Sequence, residues 1–423
     1  MALELLAPAG NFEKMKTALH YGADAVYLGI SDFSLRSMSR GFSEEELFQA
    51  IELVRSLNRK AYITLNILPH NDDIEPLKNH LQRLAPHKPD GVIVSDPGVF
   101  EMAAEAMPET ELHISTQANI TNAQSAKFWK RMGAKRIVLA REVSLDEIKE
   151  LRDAVDIDIE AFVHGSICMA YSGRCYISSF MANRSANDGE CANSCRWNYT
   201  LMQKGDEVEP AYYLQESKRD GEYMPVYEND RGTYIMSAKD LCMIEYIPQL
   251  IEAGVTSFKI EGRGKGVNYA AGVVKVYREA IDTALSGDLS VDSRWIEELN
   301  MFSSRGYTTG MFFGDHPDQG YHHDEERIDR KTHDFAGIIT EIQNSKITLA
   351  PRTALRVGDQ IQFLSKGIET DLFTITGIFD QDGQPIAATK SEAIALVEFD
   401  KPIPSVVRCN DIIRRPCVPV TTG

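Results

Sequence analysis

The sequence lacks the long apolar segments that membrane insertion and secretion require. No apolar run approaches the roughly 18 residues that span a bilayer. The N-terminus, MALELLAPAGNFEK, has no basic region followed by an apolar stretch. We therefore expect a cytoplasmic protein with no membrane association, in a compartment where thiols stay reduced. Its 423 residues, of which 43% are hydrophobic and 25% charged, predict a globular chain of two or three domains.

Positive charge is also scarce. The chain has 45 Lys and Arg residues against 62 Asp and Glu residues, which leaves a formal net charge of −17. Such a charge opposes general attraction to nucleic acid, so a polyanionic partner would need a local basic patch. The candidates for this patch are Arg174, Arg184, Arg196, Lys259, Arg263 and Lys265.

The common hydrolase motifs are missing as well. The sequence contains neither the His-Glu-x-x-His helix of zinc peptidases nor the Gly-x-Ser-x-Gly turn of serine hydrolases. The nearest approach to a nucleophile and base is His164 beside Ser166 and Cys168, but close neighbours on an extended chain point apart. The sequence therefore gives little support to peptide hydrolysis.

The first 160 residues alternate between short β-branched runs and amphipathic helical stretches. The strand-like runs are 4–8, 24–29, 61–67, 91–96, 112–116, 136–140 and 157–163, with two more at 233–238 and 257–262. Ser43 and Ser144 stand where helix N-caps are expected. Repeated strand–helix–strand units predict a parallel sheet. We predict an α/β fold with a closed, TIM-like (β/α) barrel over residues 1–314, and an open doubly wound sheet is the alternative.

The rest of the chain departs from this alternation. Residues 164–233 predict a cysteine-rich insertion over the barrel mouth, and residues 315–334 predict a charged linker. His322 and His323 in that linker are expected to be exposed rather than to bind metal. From 335 to 423, short strands separated by turns predict a small all-β barrel, a type of module that can bind RNA.

Polar residues follow most of the predicted barrel strands. A (β/α) barrel carries its active site at the C-terminal ends of its strands, so these residues predict a site there. They do not identify its chemistry, and Asp96 and Asn119 are equally well explained as helix caps. The candidates are Asn66, Asp96, Gln117, Asn119, Arg141, Glu142, His164, Lys239, Asp240, Glu261 and Arg263.

Four of the seven cysteines lie close together as Cys-x6-Cys-x15-Cys-x3-Cys, in glycine-rich and polar surroundings. Four thiolates are the ligand set of a zinc ion or an iron–sulfur cluster, and ordinary buried cysteines are the alternative. The x6 gap does not match a zinc knuckle, so the spacing favours a cluster. The four are Cys168, Cys175, Cys191 and Cys195. Cys242, Cys409 and Cys417 lack partners at ligand spacing, and Cys242 has the apolar context of a core residue.

The segment EAFVHGSICMAYSGRCYISSFMANRSANDGECANSCRW (160–197) resembles the signature of the collagenase-like proteins of peptidase family U. LLAPAG, GADAVYLG, SDPGV, STQAN and FKIEGR match that family too, and the resemblance covers essentially the whole chain. It is greatest to the branch that hydroxylates tRNA. It implies an enzyme that forms 5-hydroxyuridine at the wobble position of tRNA with prephenate as co-substrate. It also implies a 4Fe-4S cluster held by Cys168, Cys175, Cys191 and Cys195.

The resemblance suggests roles for further residues. Prephenate has two carboxylates, so its binding site needs cations, and the candidates are Arg141, Lys259 and Arg263. Gln117, Lys239 and Glu261 complete the predicted substrate-binding set, and Glu160 and His164 are the candidate catalytic proton carriers. Two alternatives stay open, a collagenase-like peptidase and a non-catalytic RNA-binding protein with a structural metal.

Overall fold

The chain, in a computed structural model, divides into two compact units. One comprises residues 1–12, 24–264 and 304–328, and the other comprises 13–23, 265–303 and 329–423. The domains predicted from the sequence, 1–314, 315–334 and 335–423, are continuous segments, whereas each of these units combines several segments. The predicted boundaries therefore stay predictions. The structure describes residues 3–35, 41–168, 170–182, 184, 186, 191–196, 212–214, 224–229, 232–234, 239–302, 306–314, 332–343, 346–365, 371–391 and 393–417.

The first unit contains thirteen strands in the described residues. They are β1 (Glu4–Pro8), β2 (Ala25–Leu28), β3 (Lys60–Leu65), β4 (Gly91–Val94), β5 (Glu111–Ile114), β6 (Arg136–Val138), β7 (Asp158–Ser166), β8 (Tyr212–Leu214), β9 (Met224–Asn229), β10 (Gly232–Tyr234), β11 (Asp240–Cys242), β12 (Ser257–Ile260) and β13 (Tyr307–Thr308). Strands β1 to β7 pair in parallel in chain order, and β12 pairs in parallel with both β1 and β7. These eight strands close on themselves, so the predicted TIM-like barrel is confirmed and the open sheet is wrong.

Helices follow the barrel strands as the sequence predicted. They are α1 (Phe12–His20), α2 (Glu44–Ser56), α3 (Asn71–Leu84), α4 (Pro97–Ala106), α5 (Ala123–Met132), α6 (Leu145–Ala154), α7 (Ile177–Ala182), α8 (Ile247–Ala253), α9 (Val267–Leu285) and α10 (Ser293–Leu299). Ser43 and Ser144 are N-caps, and each forms a reciprocal capping box with the glutamate three residues on. These caps determine where α2 and α6 begin. Within the described ranges, no helix has the length and apolarity needed to cross a bilayer.

The segment between β7 and β12 differs from the prediction. β11 pairs antiparallel with the end of β7, and β8, β9 and β10 form a separate antiparallel sheet. The run 233–238 was expected to be a barrel strand, and this is wrong. Residues 233 and 234 belong to β10, 235–238 lie outside the described residues, and the eighth barrel strand is β12.

The interior of the barrel contains paired charges. Arg136 Nη1 donates to Glu4 at 2.5 Å and to Glu160 at 3.3 Å, and Lys259 Nζ donates to Glu160 at 2.6 Å. The Tyr62 hydroxyl donates to Glu4 at 2.6 Å. All five residues are buried. Because each charge has an opposite partner, the cost of removing it from water is largely offset.

A second, smaller barrel lies in the other unit. Its six strands, all within the described ranges, are β14 (His333–Gln343), β15 (Lys346–Pro351), β16 (Gln360–Leu364), β17 (Phe373–Phe379), β18 (Ala395–Phe399) and β19 (Ile412–Pro416). The predicted all-β barrel is confirmed. Between β17 and β18, Pro385 and Ala388 form only isolated bridges. The predicted linker lies outside the described residues except for 332–334, and so do His322 and His323.

Helices α1, α9 and α10 belong to the same unit as this smaller barrel. Tyr21, which follows α1, donates its hydroxyl to the Leu364 carbonyl at 2.6 Å and accepts from the Ile412 N–H at 2.9 Å. Arg414 on β19 donates to both carboxylate oxygens of Glu298 on α10, at 2.6 and 2.9 Å. Arg414 and Glu298 are each 1% exposed, so a buried ion pair joins the helix to the barrel.

We predict that the protein loses stability as the pH falls from 7 to 5, in part through His113 on β5. Burial lowers the pKa of this fully buried imidazole, and its hydrogen bond to Glu111 only partly opposes the shift. The unfolded chain binds a proton near pH 6.5 while the folded chain resists it. The free energy of unfolding therefore falls below that pH, by at most about 1.4 kcal/mol per pH unit for this group.

Urea unfolding of the wild type and His113→Gln at several pH values checks this prediction. The variant should show the smaller pH dependence, because glutamine does not titrate. His70 is exposed, so His70→Gln is the control and should behave like the wild type. Equal slopes in the wild type and His113→Gln would contradict the assignment.

Candidate active site

A cavity of about 1230 Å³, measured with its open mouth, lies at the C-terminal ends of the barrel strands, and we call it the mouth cavity. Its lining comes from two sources, the strand ends and the cysteine segment that follows β7. The polar residues from the strand ends are Tyr27, Thr64, Asn66, Ser115, Thr116, Gln117, Arg141, Lys259, Glu261 and Arg263. The sequence thus predicted the correct end of the barrel.

All four cysteines of the predicted cluster motif line the mouth cavity. They are Cys168, Cys175, Cys191 and Cys195. Each of the seven cysteines, all within the described residues, is a thiol rather than half of a disulfide. The backbone N–H of Asn193 donates to the Cys191 sulfur at 3.4 Å.

The arrangement of these thiols bears on what they can hold. In the described part of the chain, no group of three or more His, Cys, Asp or Glu residues is placed to hold one metal ion. The ligands of a single zinc ion converge on one point, whereas the thiolates of a cluster are held apart by several irons and sulfides. Four thiols that line one cavity are a donor set that either a zinc ion or a four-iron cluster takes. Cys242 is buried, as predicted, and does not line the cavity.

Gly173 brings the cysteine segment against the barrel. It lies between Cys168 and Cys175 and has a φ of +70°, and a Cβ there would lie 2.4 Å from the carbonyl oxygen of Gln117. Glycine alone tolerates both the positive φ and the close approach. The segment can contact the end of β5 only because this residue has no side chain.

Ser172 provides the second attachment of this segment. Its backbone N–H donates to Glu142 Oε1 at 2.9 Å, and its hydroxyl accepts from the Arg141 N–H at 3.2 Å. Arg141 and Glu142 follow β6, and Gln117 follows β5. The ends of two neighbouring strands therefore hold the loop that carries Cys168 and Cys175.

The three candidate cations all line the mouth cavity, but their partners differ. Lys259 is bound to Glu160, and its Nζ lies 4.6 Å from the centre of the Tyr27 ring. The Arg263 guanidinium donates to the Ser34 and Thr64 hydroxyls and to the Leu35 carbonyl. Lys259 and Arg263 are therefore both bound by groups of the protein itself.

The guanidinium of Arg141 has a different setting. It lies 4.1 Å from the centre of the Phe162 ring. No carboxylate of the described residues is within ion-pair distance of it. Of the three cations, Arg141 is thus the one whose hydrogen-bond donors are most available to a ligand.

Glu160, a predicted proton carrier, is completely buried and does not line the mouth cavity. Burial opposes its ionisation, but the nearby charges of Lys259 and Arg136 outweigh burial and hold the pKa of the carboxyl below its usual value. Burial also lowers the pKa of Lys259, and Glu160 works against that shift. In this geometry Glu160 positions Lys259, and its role in proton transfer stays a prediction.

Of the other four predicted site residues, two line the mouth cavity and two do not. Gln117 and Glu261 line the mouth cavity, whereas His164 and Lys239 do not. The His164 ring is buried and packs 5.4 Å from the Tyr307 ring, between centres. Lys239 follows a run that is not a barrel strand, which explains why it is absent from the cavity lining.

Sequence reasoning missed several residues of the barrel interior. Tyr27 and Thr64 line the mouth cavity, and Arg136 joins Glu4 to Glu160. Each of these residues lies within a strand, whereas the sequence prediction was limited to polar residues that follow a strand. An arginine in the short apolar run RIVLA was the available signal.

The surface basic patch expected from the sequence must also be revised. Lys259 is 4% exposed and Arg263 is 8% exposed, so neither contributes to a surface patch. Arg174 and Arg184 are partly exposed and remain candidates, and the Arg196 side chain lies outside what the structure describes.

We predict that Gly173→Ala detaches the cysteine segment from the barrel, because the new Cβ would collide with the Gln117 carbonyl. The thiol of Cys175 should then react faster with a thiol reagent in the apoprotein, as measured by labelling and peptide mass spectrometry. Gly133→Ala is the control, because Gly133 also has a positive φ but would place its Cβ in open space. Equal labelling of Cys175 in both variants would show that the contact has no such role.

Comparison with known proteins places the chain among close relatives. The tRNA hydroxylation protein P1 of Bacillus subtilis (strain 168) is 39% identical over 402 residues, which cover 94% of this chain and 91% of that protein. The tRNA hydroxylation protein P of Escherichia coli (strain K12) is 39% identical over 392 residues, 86% of each chain. A protein of Porphyromonas gingivalis (strain ATCC BAA-308 / W83) named Collagenase is 34% identical over 325 residues, 74% of this chain and 73% of that one.

Two family models match as well. The model of peptidase family U32 matches residues 10–322, and that of the peptidase family U32 C-terminal domain matches residues 331–414. The resemblance found in the sequence is confirmed, and the chain belongs to peptidase family U32.

Proposed function

We propose that this protein is an enzyme that hydroxylates tRNA, forming 5-hydroxyuridine at the wobble position with prephenate as co-substrate and with the aid of a 4Fe-4S cluster. The observation that carries the proposal is one cavity lined by four thiols and three cations. Two relatives that match 94% and 86% of the chain are named tRNA hydroxylation proteins, which supports the RNA substrate and the reaction.

The four cysteines would hold the cluster. A four-iron cluster takes four thiolates, and soft sulfur ligands are those that iron–sulfur clusters select. Once bound, the cluster would supply one-electron chemistry. The protein's own contribution is to orient the thiols through Gly173 and Ser172 and to donate the Asn193 N–H to Cys191.

The cations of the mouth cavity suit a dianionic co-substrate such as prephenate. Lys259 and Arg263 provide fixed positive charge on the barrel side, because their protein partners hold them in place. Arg141 can offer a planar pair of N–H donors to a carboxylate. Glu261 is the single carboxylate among the described lining residues, against these three cations.

Peptide hydrolysis has weaker support. It is favoured only by names, those of the family and of relatives such as the Porphyromonas gingivalis protein. No histidine of the described chain lines the mouth cavity, so Cys168 has no imidazole base beside it there. A purely structural metal explains the thiols but not the three cations that share their cavity.

We expect Cys191→Ala to abolish both the cluster and tRNA hydroxylation. Nucleoside analysis of tRNA from a deletion strain should show 5-hydroxyuridine derivatives after complementation with the wild type and none with the variant. Iron and sulfide content of the anaerobically purified proteins gives a second readout. Cys409→Ala removes an exposed cysteine of the other unit and is the matched control. Wild-type protein that contains one zinc ion and no iron would overturn the cluster assignment.

We expect Arg141→Gln to raise the KM for prephenate by about 10- to 100-fold, because a hydrogen bond to a charged group contributes about 1.5–3 kcal/mol. The kcat should change less. Steady-state hydroxylation of tRNA at varied prephenate concentrations measures both. Arg131→Gln removes an exposed arginine outside the mouth cavity and should have no effect. An unchanged KM in Arg141→Gln would place the co-substrate elsewhere.

A further inference from the structure

A second cavity adjoins the mouth cavity, and the function proposed above assigns no ligand to it. It has a volume of about 750 Å³ with its opening included, and we call it the side cavity. The two cavities share lining residues that include Arg141, Phe162, Cys168, Tyr171 and Ser172. Most other walls of the side cavity are apolar, and they include Leu139, Val143, Ile148, Leu241, Met311 and Phe312.

Glu142 is the one carboxylate among the described residues that line the side cavity. Its Oε1 accepts from the Ser172 N–H, while its Oε2 is buried and has no hydrogen-bond partner in the described chain. A buried acceptor without a donor is costly, because it has given up its hydrogen bonds to water and gained none in return. The terminal torsion of a glutamate is soft, so a small turn of the carboxylate presents Oε2 to a ligand. The site therefore favours a ligand that brings an N–H group.

Arg141 places donors beside this acceptor. It lines both cavities, and its guanidinium rests on the Phe162 ring without a carboxylate partner among the described residues. The side cavity thus offers one acceptor and a neighbouring set of donors within apolar walls. This is the complement of a flat heterocycle that carries an N–H next to a carbonyl.

We propose that the side cavity receives the uracil base that the enzyme modifies, with N3–H donating to Glu142 and O4 accepting from Arg141. This inference rests on the proposed function and deepens it by assigning the site of the target base. Enzymes that act on a base extrude it from its stack, and the apolar walls of the side cavity provide a surface for the ring. Because C5 is bonded to C4, binding O4 at Arg141 directs C5 toward the boundary shared with the mouth cavity.

The same two groups select against cytosine. Cytosine has an unprotonated N3 and an amino group in place of O4. Its acceptor would face the Glu142 carboxylate and its donor would face Arg141, so both contacts become unfavourable. Uracil is therefore preferred over cytosine through one pair of adjacent residues.

The test is the affinity of the anaerobically purified protein for anticodon stem–loop RNAs that carry uridine, cytidine or an abasic site at the wobble position. Fluorescence anisotropy should show the wild type binding the uridine RNA at least about 5-fold more tightly than the other two, which is the lower end of what a good base contact contributes. Glu142→Ala should bring the uridine-to-cytidine ratio close to one. Asp146→Ala removes an equal charge from an exposed position nearby and should keep the wild-type ratio.

Glu142→Gln provides a sharper variant that preserves the loop contact. Its amide oxygen can still accept from Ser172, which turns the amide NH2 toward the cavity as a donor. The preference should then shift toward cytidine, further than in Glu142→Ala. A wild-type ratio near one, or a ratio unchanged in both variants, would overturn the proposal.

A separate measurement distinguishes this proposal from the function on which it rests. Nucleoside analysis of the same RNAs after incubation with prephenate reports 5-hydroxyuridine formation. If product forms while the binding ratio is one, the base site is wrong and the hydroxylase stands. If the ratio responds as expected and the wild type forms no product under conditions in which its cluster is intact, the base site stands and the hydroxylase is wrong.

Discussion

The buried ion pair between Glu160 and Lys259 connects closure of the barrel to the chemistry at its mouth. Glu160 lies on β7 and Lys259 on β12, the strands whose pairing closes the eight-stranded sheet. Their charged atoms are 2.6 Å apart, and only Lys259 lines the mouth cavity. Burial alone would favour a neutral lysine. Lys259 keeps a positive charge in the mouth cavity because the Glu160 carboxylate, which is not part of the lining, stabilises its ammonium group.

The mouth cavity needs both the barrel and the segment that interrupts it. The barrel provides cations at fixed positions, and the segment after β7 provides the thiols. Gly173 and Ser172 join the two, one through a close backbone approach to Gln117 and the other through hydrogen bonds to Arg141 and Glu142. Any chemistry that uses thiols and cations together therefore depends on contacts that neither part makes alone.

The acidic composition of the chain has a consequence for an RNA partner. Arg136, Lys259, Arg263 and Arg414 are buried and committed to internal partners, so they cannot contact phosphates. General electrostatic attraction is therefore weaker than the count of basic residues suggests. An RNA substrate of this protein would be selected mainly by local contacts, such as a base held between apolar walls, rather than by long-range attraction.

Local patterns in the sequence determined the alternation of strands and helices, the N-caps at Ser43 and Ser144, and the grouping of the four cysteines. These features depend on neighbours a few residues apart, and a sequence displays such neighbours directly. Tertiary structure decided that 257–260 rather than 233–238 completes the barrel. It also decided that Lys259 and Arg263 are engaged while Arg141 is available. Those outcomes depend on which distant segments meet, and on the partners and burial each side chain acquires there, which spacing along the chain does not specify.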